Sequence, residues 1–236
     1  MDFALILAGG FGIRMGQTKK PKQFLNLGNK PILIHTIEKF AIFNNFEKII
    51  VLTPKEWINF TEDLIKTFIS NNNNIVVIEG GELRIDTVNM GMEYILNNYD
   101  GEEHIIVTHD AVRPFVTHRI IEENISKAIK YGACNTIIPS TDTIVESKDN
   151  ILLSNIPERQ YMYQGQTPQS FKLSKLKLFY DKLTDEEKQN LTDACKVFLL
   201  NNEDVAIVEG EVSNIKITYS FDLNVANYIL KGDLDD

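Results

Sequence analysis

Leu7-Ala8-Gly9-Gly10-Phe11-Gly12-Ile13-Arg14-Met15-Gly16 follows directly on the unbroken apolar run of residues 3–7. An apolar run of strand length with no polar alternation reads as a strand buried on both faces, the kind found inside parallel sheets. The glycines behind it let the backbone turn tightly and leave room for another group to approach it closely. At the carboxyl end of a parallel strand, the usual group is a nucleotide phosphate.

Working outward, further runs of strand length at residues 49–52, 75–78, 105–108 and 136–138 alternate with helical spacing. The helical patterns are Ile34, Ile37, Phe40 and Ala41, then Leu64, Ile65 and Phe68, then residues 88–96 and 120–129. This alternation predicts an α/β fold, a doubly wound, mostly parallel, Rossmann-like sheet, and 236 residues suit one domain. Thr53-Pro54-Lys55-Glu56 reads as a helix start, with Thr53 as cap and Pro54 at the first helical position.

After Ser140 the alternation falters. Residues 143–146 and 151–154 read as two short strands joined by Ser147-Lys148-Asp149-Asn150, which predicts a protruding β-arm at about 141–163. Such a hairpin buries little on its own, so it packs on its own domain or exchanges with a second subunit. Helices are expected at 174–183 and at 184–200, the latter opened by a Thr184–Glu187 capping box. A strand at 205–209, a basic-containing segment at 214–218 and a helix from about 222 to 230 complete the reading.

The formal net charge is −9, from 24 Lys and Arg against 33 Asp and Glu. Broad duplex binding requires clustered cations, so nucleic acid is excluded as a partner and anionic membranes are disfavoured. A local basic cluster for a small anion remains compatible with that total. Cys134 and Cys195 are far apart, lack CxxC spacing, and read as two free thiols. No run approaches 18 apolar residues and no leader pattern opens the chain, so a cytoplasmic protein is expected.

Two common glycine motifs fail here. The dinucleotide fingerprint needs a third glycine where Met15 stands, and Thr53-Pro54 replaces the acidic residue that would bind a ribose. A Walker loop needs Gly-Lys-Ser/Thr, but Gly16 is followed by Gln17. A nicotinamide oxidoreductase is therefore disfavoured. What strengthens a phosphate reading is the cation set behind the loop: Arg14, Lys19, Lys20 and Lys22. Lys19 and Lys20 read equally well as a solvated loop, whereas Arg14 and Lys22 flank a turn with room for a ligand. Cations so placed stabilise charge developing at an attacked phosphorus.

Six ordered motifs carry a resemblance across nearly the whole chain. Leu7-Ala8-Gly9-Gly10-x-Gly12-x-Arg14-Met15-Gly16 is followed by Pro21-Lys22-Gln23-Phe24 and Gly80-Gly81-x-x-Arg84-x-Asp86-Thr87-Val88. Then come His109-Asp110-Ala111-Val112-Arg113-Pro114, Gln166-Thr167-Pro168-Gln169-x-Phe171 and Asn214-Ile215-Lys216-Ile217-Thr218. Together they resemble the cytidylyltransferases that activate polyol phosphates. That family has branches acting on ribitol 5-phosphate and on methylerythritol phosphate. Residues 162–169 and 191–196, and the opening Leu-Ala-Gly-Gly, are most similar to the ribitol branch.

The resemblance implies an enzyme that makes CDP-ribitol and pyrophosphate from CTP and ribitol 5-phosphate, for wall teichoic acid or capsule. The methylerythritol reaction of isoprenoid synthesis is the alternative, and a catalytically silent nucleotide-binding module is an alternative of another class. Leu7, Ala8, Gly9 and Gly10 would supply backbone contacts to CTP. Gly81, Glu82, Arg84, Asp86 and Thr87 would form the base and ribose side, with Ala111 lining the pocket. Arg14 and Lys22 would grip the triphosphate, and Asp110 would lie near a Mg²⁺ ion held largely by phosphates. Arg159 and Lys216 would bind the acceptor phosphate, Arg159 reaching a neighbouring subunit's site with Thr143 nearby. A homodimer through the arm and a partner reductase that supplies the acceptor are also implied.

Plainer roles suit other conspicuous residues. His35, His104, His109 and His118 are scattered and read as structural or surface groups. Asp193 reads as a helix cap or as a contact to the polyol. Trp57 reads as packing, and Tyr161, Met162 and Tyr163 as interface. Glu82 and Asp86 lack the spacing of an acid catalyst and could instead balance cations or cap a helix.

Overall fold

The computed structural model describes residues 1–10, 20–43, 45–101, 103–191 and 193–232. Arg14 and Lys19 therefore lie outside the described residues, as does Thr192. The run that opened the reading forms β1 (Asp2–Leu7), an inner strand of a seven-stranded sheet. On one side it pairs in parallel with β4 (Lys48–Thr53), which pairs with β5 (Ile75–Glu79). On the other it pairs in parallel with β6 (Ile105–Asp110). A separate two-stranded ribbon joins β2 (Asn26–Leu27) to β3 (Lys30–Pro31).

Period-two geometry divides each buried strand between two cores. Ala4 and Ile6 of β1 pack with α1 (Ile32–Phe43), α2 (Ile58–Phe68) and α4 (His118–Tyr131). Phe3, Leu5 and Leu7 pack with α3 (Arg84–Asn98), α5 (Leu173–Tyr180) and α7 (Cys195–Leu200). On α3, a Cβ at Gly91 would stand 2.8 Å from a methyl of Leu5, so this helix rides closer to β1 than a side chain permits. The expected sheet covered on both faces is present.

The structure departs from the sequence reading at four places. The largest concerns β8 (Tyr163–Lys172), a ten-residue strand running antiparallel between β6 and β7 (Ala133–Pro139). The sequence reading assigned no element to this stretch, in which Gly165 and Pro168 are residues that usually interrupt a strand. The register with β7 shifts between Asn135 and Ile137, and such an irregularity is where a ladder tolerates proline. β9 (Ala206–Glu209) then closes the edge, parallel to β7.

The other three corrections are smaller. Thr53 ends β4 instead of capping a helix; its hydroxyl has no partner among the described residues, and Lys55–Trp57 form only a 3-10 turn. The helix expected over 184–200 is two pieces, α6 (Asp185–Gln189) and α7, because Leu191 turns into the core between them. The Thr184–Glu187 capping box does form on α6. Within residues 141–163 the two expected strands reduce to one antiparallel bridge, Glu146 with Asn155. Finally, α8 (Ser220–Lys231) packs Ala226 against Leu27 and Ile217. No helix among the described residues is long and apolar enough to cross a membrane.

Candidate active site

Strand order reverses about β1, since β4 lies on one side and β6 on the other. That switch opens a crevice beyond the carboxyl ends of the strands, where open α/β sheets bind ligands. Here Leu7 is in register with Asp110, and both border a cleft of about 440 Å³. Leu7, Ala8, Gly9, Gly10, Gly81, Glu82, Arg84, Thr87, Asp110 and Ala111 line it, together with Lys22 and Lys216. Of the described residues expected to meet the nucleotide, Asp86 is the exception. Its carboxylate instead accepts a hydrogen bond from the Tyr180 hydroxyl at 3.2 Å, tying α3 to α5. Gln23, Leu83, Val112 and Thr218 also line the cleft.

Local chemistry sets the walls. The Gln23 amide donates to the Ala8 carbonyl at 2.6 Å and so orients the backbone at the end of β1. The Thr87 hydroxyl, one turn into α3, contacts the carbonyls of Gly81 at 3.1 Å and Leu83 at 3.0 Å. A Cβ on Gly81 would stand 2.6 Å from that of Asp86, so only glycine lets the loop fold back onto the helix start. Lys22 is 8 % exposed, and its ammonium donates to the Ile217 carbonyl at 3.1 Å.

Asp110 is the electrostatic centre. It pairs with Arg84 at the start of α3, with Lys216 at 2.9 Å and with Arg113 at 3.5 Å. Burial alone would raise its pKa, but the charges of Arg84, Lys216 and Arg113 hold the carboxyl well below the usual range. Its stabilising contribution is therefore complete above the ordinary carboxylate pKa and is lost only as pH falls through the lowered value.

A fully buried relay lies behind it. The Asp110 backbone N–H donates to the Thr167 hydroxyl at 3.1 Å, and that hydroxyl lies 3.1 Å from His109 Nδ1. His109 Nε2 lies 3.0 Å from the Arg113 carbonyl, which can only accept. The proton is thereby assigned to Nε2, leaving Nδ1 to accept from Thr167. Burial drives the His109 pKa down to about 4, against weaker raising effects from the Arg113 carbonyl and Asp110.

This lowered value predicts acid sensitivity. Between about pH 6.5 and 4 the unfolded chain takes up a proton that the folded chain refuses. Stability should then fall on acidification by something of the order of 3 kcal/mol. Denaturant titrations at several pH values check this, and His109→Gln should flatten the slope in that window. A wild-type stability that does not change there contradicts the assignment.

Asp193 precedes Ala194, the N-cap of α7; one of its oxygens accepts from the Cys195 N–H at 2.7 Å, while the other accepts from the Gln169 amide at 2.6 Å. Trp57 packs against Phe24 and Phe60. His35 is bonded to the Leu27 carbonyl at 2.7 Å, and both cysteines are free and buried. Arg159 is not brought to the cleft. It is exposed, and its guanidinium donates to the Thr141 carbonyl at 3.2 Å.

No group of three His, Cys, Asp or Glu able to hold a metal ion occurs among the described residues. With Asp110 shared by three cations, the described side chains do not build a resident divalent site. They suit instead a cation that arrives already chelated by phosphate oxygens.

A model of the 2-C-methyl-D-erythritol 4-phosphate cytidylyltransferase (IspD) family matches residues 3–232. The chain belongs to this family. It is similar to the 4-diphosphocytidyl-2C-methyl-D-erythritol synthase of Anaerococcus prevotii, at 26 % identity, TM-score 0.80 and 98 % coverage of both chains. The 2-C-methyl-D-erythritol 4-phosphate cytidylyltransferase of Francisella tularensis is 27 % identical, with TM-score 0.80 and coverage of 96 % of this chain and 98 % of that one. The Thermus thermophilus cytidylyltransferase shares the fold at 22 % identity and TM-score 0.74, over 98 % of this chain and all of its own length. As a family member this chain is a cytidylyltransferase with the mostly parallel sheet expected of it.

Gln23, Arg113 and Asn214 were quoted within motifs but received no role. Only Gln23 could have been suspected from sequence, by lying beside Lys22. The partnership of Arg113 with Asn214 joins residues 101 positions apart.

Proposed function

We propose that this cytidylyltransferase couples CTP to the phosphate of a small polyol, releasing pyrophosphate. The observation that supports it best is one cleft at the ends of β1 and β6. It combines the Gly9-Gly10 backbone with Lys22 on one side, and Lys216 and Arg84 around Asp110 on the other. In this reading an acceptor phosphate oxygen attacks the α-phosphorus in line. The new P–O bond forms as the bond to the bridging oxygen of the β-phosphate breaks, and pyrophosphate leaves with that electron pair. A phosphate monoester has a second pKa of about 6 and is largely dianionic at neutral pH, so no general base is required. The obstacle is repulsion between anions, which Lys22, Lys216 and the proposed Arg14 offset. Mg²⁺ belongs to the substrate here, as the chelated counterion of the triphosphate.

Two acceptors have separate support. The family model and the neighbours at 26 % and 27 % identity favour 2-C-methyl-D-erythritol 4-phosphate. D-ribitol 5-phosphate, with a reductase to supply it, rests on the likeness of residues 162–169 and 191–196 to the ribitol branch. Pyrophosphate release with CTP and each acceptor separates them. Higher kcat/KM for ribitol 5-phosphate selects the second reading, and no release with either overturns the proposal.

We also propose that a second copy of the chain completes the site. Arg159 stands apart from the cleft lining on a segment whose Ile144, Val145, Ile151, Leu152, Leu153 and Ile156 are all exposed. Pairing of two such segments would bury those side chains and carry each Arg159 toward the partner's acceptor phosphate.

A further inference from the structure

Lys216 stands on a stretch of chain, residues 211–218, that belongs to no helix or strand. Irregular backbone does not position its own side chains to a fraction of an ångström, so other contacts must hold it. Two buried side chains are built into that role. Asn214 is wholly buried, and its amide donates to the Gln166 side-chain oxygen at 3.1 Å and to the Thr167 carbonyl at 2.9 Å, both on β8. Arg113, 8 % exposed, reaches the same segment from the end of β6 and donates to the Asn214 carbonyl at 2.7 Å. Its Nε meanwhile lies 3.5 Å from Asp110, the carboxylate that Lys216 contacts at 2.9 Å.

Further bonds tie down both ends. The Gln166 amide donates to the Glu211 carbonyl at 2.9 Å, and the Ile217 N–H to the Val112 carbonyl at 3.0 Å. The segment is thus bound to β8 through Asn214 and to the end of β6 through Arg113, with Lys216 two residues beyond the doubly held asparagine.

We propose that Asn214 and Arg113 are positioning residues that act on the reaction through Lys216, by fixing its ammonium against Asp110 at the mouth of the cleft. This rests on the cytidylyltransferase reading given above. A guanidinium shared between a carboxylate and a main-chain carbonyl sets the distance between them. The asparagine fixes the orientation of the chain, because its two N–H groups each meet a different acceptor. A displacement of about 1 Å at a group that aims a reacting phosphate costs on the order of 10²-fold in rate.

The test is a double-mutant cycle on the full-length protein, with CTP and whichever polyol phosphate it accepts. Asn214→Ala should lower kcat/KM for the acceptor by about 10²-fold while leaving the KM for CTP nearly unchanged. In a Lys216→Ala background, the same substitution should change kcat/KM by no more than about twofold. Arg113→Lys, which keeps the charge but cannot span both partners, should behave alike and serves if Asn214→Ala does not fold. Losses that multiply in the double variant overturn the proposal.

A readout independent of turnover accompanies the cycle: amine-labelling rates followed by peptide mass spectrometry. Lys216 should label more slowly than the exposed Lys148 in the wild type, and Asn214→Ala or Arg113→Lys should abolish that protection. An unchanged Lys216 rate in a folded variant also overturns the proposal. If the wild type releases no pyrophosphate with either acceptor, the functional reading fails, and the labelling result still decides whether the clamp holds Lys216.

Discussion

Replacing Lys22 by Ala should reduce turnover by about 10²–10³-fold while CTP binding stays measurable. Lys22 enters the cleft from the first position of a 3-10 turn, Lys22–Phe24, with its stem beside Gly10 and its ammonium on the Ile217 carbonyl. A cation held in so dry a place acts at short range with little screening, where its effect on developing phosphate charge is largest. Binding suffers less than rate because the backbone at Gly9 and Gly10 and the wall at Gly81 and Thr87 remain. Lys22→Met, which keeps the buried stem, separates lost charge from lost packing and should be almost as slow. Calorimetric titration of CTP beside steady-state kinetics measures both quantities. Turnover within a few-fold of wild type would remove Lys22 from the chemistry and favour a silent nucleotide-binding module.

The second large effect is complementation between two crippled variants. Arg159→Ala and Lys22→Ala should each be nearly inactive, yet chains refolded together in equal amounts should recover about a quarter of wild-type activity. Random pairing makes half of the dimers mixed, and each mixed dimer then has one site with both cations intact. If Arg159 instead served the site of its own chain, both sites of a mixed dimer would lack one cation and nothing would be recovered. A monomer by sedimentation at assay concentration would also defeat this prediction. The expectation follows from Arg159 lying on an exposed apolar segment away from the cleft lining, with its guanidinium bonded to the Thr141 carbonyl.

Much of the architecture was legible because burial on both faces leaves a direct trace in the residues. The unbroken runs that became β1, β4, β5 and β6 could be read without knowing their neighbours. The motif order likewise pointed to the residues around the cleft, and among the described residues all but Asp86 of those expected at the nucleotide line it. β8 was not legible, because Gly165 and Pro168 carry a loop signature that pairing on both sides overrides. The break between α6 and α7 was hidden for a similar reason. A periodic stretch looks continuous until Leu191 finds a place in the core.

By itself, then, the sequence determined the layered α/β class, the glycine run that ends β1 and the cations that follow it along the chain. Those follow from local rules: apolar run length, glycine freedom and charge density along the chain. Tertiary structure alone decided that Asp110 would gather Arg84, Arg113 and Lys216. It also decided that His109 would be held neutral, and that Arg159 would stand off the cleft. Each of these depends on which charges meet and how much water is removed when they do. Partners such as Arg113 and Asn214 are distant in the chain and are brought together only by the pairing of β6, β7 and β8.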